Sequence, residues 1–101
     1  MIATYDTESD LVVIELGDPG SAVDSVDPHS RAIVAVDGSG TPVQIEIAAI
    51  ASGVEEPLRA VAAHSFAGNN PPEIDLLLAA AGAALAVPDQ VVNISIGQRA
   101  A

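Results

Sequence analysis

A chain of 101 residues with 14 acids, three arginines and no lysine carries a net charge of -11, which excludes attraction to nucleic-acid phosphates or to anionic membranes. Half of the residues are apolar, so wholesale disorder is excluded in spite of the charge. The absence of cysteine excludes disulfides, thiolate metal sites and cysteine nucleophiles. The length fits one domain with one modest core, and with Tyr5 and Phe66 as the sole aromatics that core is assembled from Ala, Val, Ile and Leu. The acidity reads either as solubility, adaptation to high salt included, or as the complement of a basic partner protein. The opening MIATYDTESD lacks a basic start and an apolar core, and the apolar run 76–87 is shorter than the ~20 residues a bilayer requires. The expected location is cytoplasmic.

Residues 1–5 and 11–16 predict a hairpin. In the second run Val12, Ile14 and Leu16 share one face, while Leu11, Val13 and Glu15 share the other. Gly17-Asp18-Pro19-Gly20 breaks that strand. Residues 22–27 predict a strand ended by Asp27-Pro28, and 32–37 (AIVAVD) a further one. Gly38-Ser39-Gly40 then forms a hairpin connection into PVQIEIAAI, where Val43, Ile45 and Ile47 oppose Gln44 and Glu46. After Ser52-Gly53 the period changes. Glu55, Glu56 and Pro57 suit a first helical turn, and Leu58, Val61, Ala62 and Phe66 follow at helical spacing until Gly68. A second helix runs from Pro72 and Glu73 to about Ala86, stopped by Pro88, and 91–96 (VVNISI) predicts a last strand with Val92, Ile94 and Ile96 on one face. The fold class is therefore α+β: an antiparallel β-meander of four to five strands (1–53), followed by two helices and a final strand (54–101), in a single domain.

The order Tyr5-Asp6-x-Glu8-x-Asp10, a strand ending Ile14-x-Leu16, then Asp37, Gly40, Val43, Ile45-Glu46-Ile47 and Ala51-Ser52 resembles the short bacterial and archaeal proteins grouped as domain of unknown function 2283. The resemblance spans residues 1 to about 53. It departs from that pattern at Gln44, where glycine is usual, at Val13, where an aromatic is common, and at Glu15, often a basic residue. It implies a small antiparallel sheet with a helix packed on it, and it transfers no catalytic residue.

Three groups of side chains are candidates for chemistry. Asp6, Glu8 and Asp10 supply the first, third and fifth oxygens of a calcium loop, yet the glycine position is Leu11 and the bidentate glutamate position is Gly17, so the run reads better as a turn capped by its own acids. Glu15 and Glu46 lie opposite the aliphatic stripes of their strands, where adjacent strands would bring two carboxylates together to share a proton or a cation. With His64 they define a ligand or cation pocket for a small-ligand binder or an enzyme. His29 and His64 are the general-base candidates, but no nucleophile turn accompanies them. Gly38-Ser39-Gly40 lacks the lysine and the helix of a phosphate loop. No cofactor is called for.

The second helix, PPEIDLLLAAAGAALAVPD, is apolar all round from Ile74 to Val87 except at Asp75. A helix of this kind needs cover on more than one side, which predicts a homodimer with Ile74, Leu77, Leu78, Ala81 and Leu85 in its interface. The functional expectation is a non-enzymatic acidic interaction domain, homodimeric, and an accessory or antitoxin-like partner of a basic protein.

Overall fold

In the computed structural model, which describes residues 1–95, the two-residue alternation becomes one six-stranded antiparallel sheet. Its strands are β1 (Ile2–Asp6), β2 (Leu11–Glu15), β3 (Asp24–His29), β4 (Ala32–Val36), β5 (Pro42–Ala48) and β6 (Val92–Asn93), with helices α1 (Glu55–Ala63) and α2 (Ile74–Ala86) between the last two. The α+β class read from the sequence is the fold of the chain. The spatial order, however, is β3-β4-β5-β2-β1-β6. After the β1–β2 hairpin the chain crosses the end of the sheet through residues 16–23, and β3, β4 and β5 then return by hairpins until β5 lies beside β2, as in a Greek key. Asp18 starts the 3₁₀ turn Pro19–Ser21 on that crossing by accepting the Gly20 amide at 2.9 Å.

Register decides which side chains are buried. Across one face run Ala3, Ile14, Ile45 and Val34, and beside them Val12, Ile47 and Ala32, all with no exposed surface. Both helices pack on this face: α2 over β1 and β2, α1 over β3 and β4. Leu58 and Val61 come down from α1, and Leu77, Ala80, Ala81 and Ala84 from α2, to complete one core shared by both halves of the chain.

The spacing 77, 80, 81, 84 is one helical stripe, so α2 is covered from one side by its own chain. Two residues expected at a dimer interface, Leu77 and Ala81, are thus part of the monomer core; Ile74, Leu78 and Leu85 are half-buried against it. The outward side of α2, with Ala79, Gly82 and Ala86, is exposed and carries only small side chains. Helix α1 is shorter than its apolar spacing suggests. It stops at Ala63, with His64 extended at its C-cap and Phe66 in the following loop, still packed on the core. The last strand is also shorter than expected, pairing only Val92 and Asn93 with β1; the predicted position Ile96 lies outside the described residues.

Two interlocks fix the helices. Arg31, between β3 and β4, places Nη1 2.8 Å from the Gly53 carbonyl and 3.1 Å from those of Ala48 and Ala49, with Nη2 3.5 Å from Ser52 O. A planar guanidinium has five donors and suits such a cup of carbonyls. The cup holds the β5–α1 connection, in which Ala49 has φ 54° and Gly53 φ 90°. Farther on, the loop after α1 docks backbone to backbone on the β4–β5 turn. The Gly68 amide donates to Gly40 O at 3.1 Å and the Asn69 amide to Thr41 Oγ1 at 3.0 Å. A Cβ on Gly68 would fall inside the Thr41 hydroxyl and backbone nitrogen, so the approach requires glycine.

The acids in the loops act as local acceptors. Asp37 Oδ1 takes the Ser39 amide, the Ser39 hydroxyl and the Thr41 amide, all at 2.7–3.0 Å. Asp89, φ 63°, accepts the Thr7 amide at 2.9 Å and the Thr7 hydroxyl at 2.7 Å, clasping the segment after α2 to the β1–β2 turn. The Ser39 hydroxyl first, and the Thr41 amide with it, hold Asp37 below the ordinary value of 3.8. The Thr7 hydroxyl and amide do the same for Asp89.

Two outcomes follow from these contacts. Arg31→Met leaves four carbonyls without their cation and should lower stability to urea by about 2 kcal/mol, with Arg31→Lys intermediate because a single ammonium cannot span the cup. Asp37 and Asp89 stabilise the fold fully above pH 3.8, and that contribution is lost as pH falls from there through their lower folded values. The melting temperature of Asp37→Asn/Asp89→Asn should accordingly drop less between pH 5 and pH 2 than that of the parent chain. Equal slopes would show that these carboxylates do not link folding to pH.

Candidate functional site

The face of the sheet opposite the helices carries no covering element among the described residues. The pleat that sends Val12, Ile14, Ile45 and Val34 inward sends their neighbours outward. Across the strands one row runs Ile2, Glu15, Gln44, Ala35 and Ser25, and the next Thr4, Val13, Glu46 and Ile33, with Leu11 and Ala48 beyond. Most are half-exposed, and Ile33, at 47%, is among the most exposed large aliphatics of the chain. This is an aliphatic floor interrupted by two carboxylates. Glu15 faces Gln44 and Glu46 faces Val13 in the β2–β5 register, so the acids are diagonal neighbours, a relation that separates such positions by about 7–8 Å.

The edges of the sheet are closed by comparison. On β3 the Ser25 amide is taken by the Asp24 carboxylate at 2.8 Å, Pro28 has no amide, and the register shifts between Val26 and His29. On the other side β6 pairs with Ile2 and Ala3 of β1, and the Asp89 amide donates to the Tyr5 carbonyl at 2.8 Å. Strand addition from outside therefore finds few free ladder groups.

His64 is on the other side of the sheet from Glu15 and Glu46. It follows α1, and its ring lies edge-on to Phe66 with centroids 4.6 Å apart. Two open depressions of about 420 and 610 Å³ meet at His64 and Ser65; the first extends to Asp24, Asp37 and Phe66, the second to Glu73 and Asp75. The single sheet thus separates the expected carboxylate pair from its histidine, and the three do not line one pocket. The other histidine is a structural link. His29 Nδ1 accepts the Arg31 amide at 3.1 Å, which leaves Nε2 to carry the proton toward Glu56 Oε1, also at 3.1 Å.

Asp6, Glu8 and Asp10 form a turn. Asp6 accepts the Glu8 amide at 3.0 Å and the Ser9 hydroxyl at 2.8 Å; Asp10, left-handed at φ 55°, accepts the Tyr5 hydroxyl at 2.9 Å. That bond to Asp10 pushes the Tyr5 phenol above its ordinary value of 10.0. Among the described residues no three His, Asp or Glu side chains converge as ligands for a metal ion. No helix is long and apolar enough to cross a membrane among them either.

Known protein families, curated proteins and solved structures offer no match to this chain. The resemblance of residues 1–53 to domain of unknown function 2283 is thereby corrected: no family model matches there. The residues that carried it are accounted for by turn chemistry. Asp6 and Asp37 each accept the amide two residues on, and Gly40 adopts φ 83°, features open to any hairpin with an acid at its entry.

The members of the open face that sequence periodicity misses are Ile33, Ala35 and Ile2. In AIVAV every position is apolar, so nothing in the run says which side is covered. Substitution separates the two sides: Ile33→Ser should shift the unfolding free energy by no more than about 0.5 kcal/mol, whereas Val34→Ser, one residue on and fully buried, should cost at least about 2 kcal/mol. Chemical denaturation of the two variants measures the contrast, and a large loss for Ile33→Ser would mean that the face is covered.

Proposed function

We propose that the protein is a non-catalytic interaction domain that works through the uncovered face of its sheet. One observation carries this reading: Ile33, 47% exposed on β4, and the half-buried Ile2, Leu11 and Val13 on β1 and β2 lie on one uncovered face, with Glu46 of β5 between Ile33 and Val13. An apolar floor rimmed by polar groups marks a surface that other molecules cover. Its closed edges and interlocked helices give that surface a rigid support. An accessory, antitoxin-like role in the cytoplasm is the biological form of this reading.

A homodimer through α2 is the second reading, favoured by an outward side of α2 that includes Ala79, Gly82 and Ala86 and ends at Val87, 37% exposed, with no cation along it. The two are separable because the chain has no cysteine, so a single introduced thiol is a unique address. An environment-sensitive fluorophore on Ile33→Cys should respond as unlabelled protein, or a basic globular protein, is titrated in, while the same dye on Gly82→Cys stays silent. A response at position 82 alone would transfer the contact to α2 and refute the sheet-face reading.

A further inference from the structure

We propose that the occupant of the open face is a partner protein that presents arginine or lysine side chains among aliphatic ones, with Glu15 and Glu46 as its two anionic contacts. This rests on the interaction-domain reading and names the chemistry of the partner. The two carboxylates stand inside the aliphatic floor, beside Val13, Ile2 and Ile33 in the register. Any partner that covers the floor takes both out of water, and a carboxylate so desolvated without a counter-charge opposes binding. Neither arginine among the described residues reaches this face, and the Met1 ammonium donates to the Ile94 carbonyl at 3.0 Å. Arg31 is enclosed by the carbonyls of the β5–α1 connection, and Arg59 pairs at 2.8 Å with Glu55 on α1, across the sheet. A second copy laid face to face would set glutamates against glutamates, whereas a basic surface satisfies them and is steered in by the net charge of -11. A purely aliphatic partner is rejected for the same reason, so the acids act as the selective element in an otherwise adhesive surface. Closed edges at Ser25 and Pro28 direct such a partner to the face and away from strand addition.

The test uses a synthetic peptide alternating arginine with isoleucine as probe, with an arginine–serine peptide of equal charge and a glutamate–isoleucine peptide as controls, at physiological salt. The arginine–isoleucine peptide should bind most tightly and should shift the backbone amide resonances of Val13, Ile33 and Glu46. Glu15→Gln/Glu46→Gln should weaken it about tenfold, while Glu8→Gln/Glu73→Gln, which removes the same charge elsewhere, should change it less than about twofold. Equal weakening by both pairs, equal affinity for the arginine–serine peptide, or resonance shifts confined to another surface would overturn the proposal by reducing it to general charge attraction. A concentration-dependent dimer that protects the Val13 and Ile33 amides from hydrogen exchange would overturn the basic occupant yet leave the interaction-domain reading standing. A face that stays unprotected against every probe, and against the protein itself at high concentration, would remove both.

Discussion

The guanidinium of Arg31 sits in a cup of backbone carbonyls, and the arrangement of the layers follows from that contact. The cup gathers Ala48, Ala49, Ser52 and Gly53, the connection through which β5 passes to α1. Ala49 is left-handed without the help of a polar side chain, a conformation that costs an alanine roughly 1–2 kcal/mol. The Arg31 bond to its carbonyl offsets that cost. With the connection so held, α1 lies over β3 and β4, its C-terminal loop reaches Gly40 and Thr41, and α2 is left to cover β1 and β2. This partly exposed cation–dipole cluster thereby ties the start of α1 to the β3–β4 turn.

The core beneath that roof is made of small pieces. Ile14, Ile45, Ile47, Leu58 and Leu77 are the largest fully buried aliphatics, and five further buried positions, Ala3, Ala32, Ala80, Ala81 and Ala84, are alanines on β1, β4 or α2. Small residues let α2 approach the sheet closely, and close approach is how a chain of this length hides a helix that is apolar all round. Surface that would otherwise call for a partner is confined to half-buried leucines and a back of alanine and glycine. The open sheet face differs by carrying two carboxylates, Glu15 and Glu46, between half-buried aliphatics and the exposed Ile33.

Much of this fold is legible in the sequence, and the reasons differ by element. Strand β5 alternates cleanly, so its buried and outward residues, Glu46 included, follow from a period of two, whereas β2 is apolar from Leu11 to Ile14 and only Glu15 marks its outward face. Helix α2 is bounded by Glu73 and Pro88, and its limits are readable to within two residues. Strand order is not readable, because the pairing of β5 with β2 depends on the crossing at residues 16–23, whose Gly-Asp-Pro-Gly pattern announces a turn without a direction. The end of α1 is obscured by Phe66, which returns to the core from a loop at a helical spacing. The candidate site is legible only in part. Its acids announce themselves by alternation, but Ile33 is concealed in a strand apolar on both sides, and the distance between His64 and the carboxylates exists only in three dimensions. The acids of the first turn have the reverse character: Asp6, Glu8 and Asp10 look like ligands in a row, yet Asp6 accepts the Glu8 amide and Ser9 hydroxyl and Asp10 the Tyr5 hydroxyl.

The Arg31 cup also has a bearing on how the folded chain meets a protease. Trypsin cleaves after arginine and lysine, and a chain without lysine offers it few addresses. Of the two within residues 1–95, Arg59 lies on an exposed helical surface with a well-formed backbone, and Arg31 has its side chain already occupied by carbonyls. Cleavage at Arg31 requires the side chain to leave that cup and enter the enzyme's specificity pocket. Digestion at this bond is therefore a direct report on whether the β5–α1 connection is closed, obtained without any label.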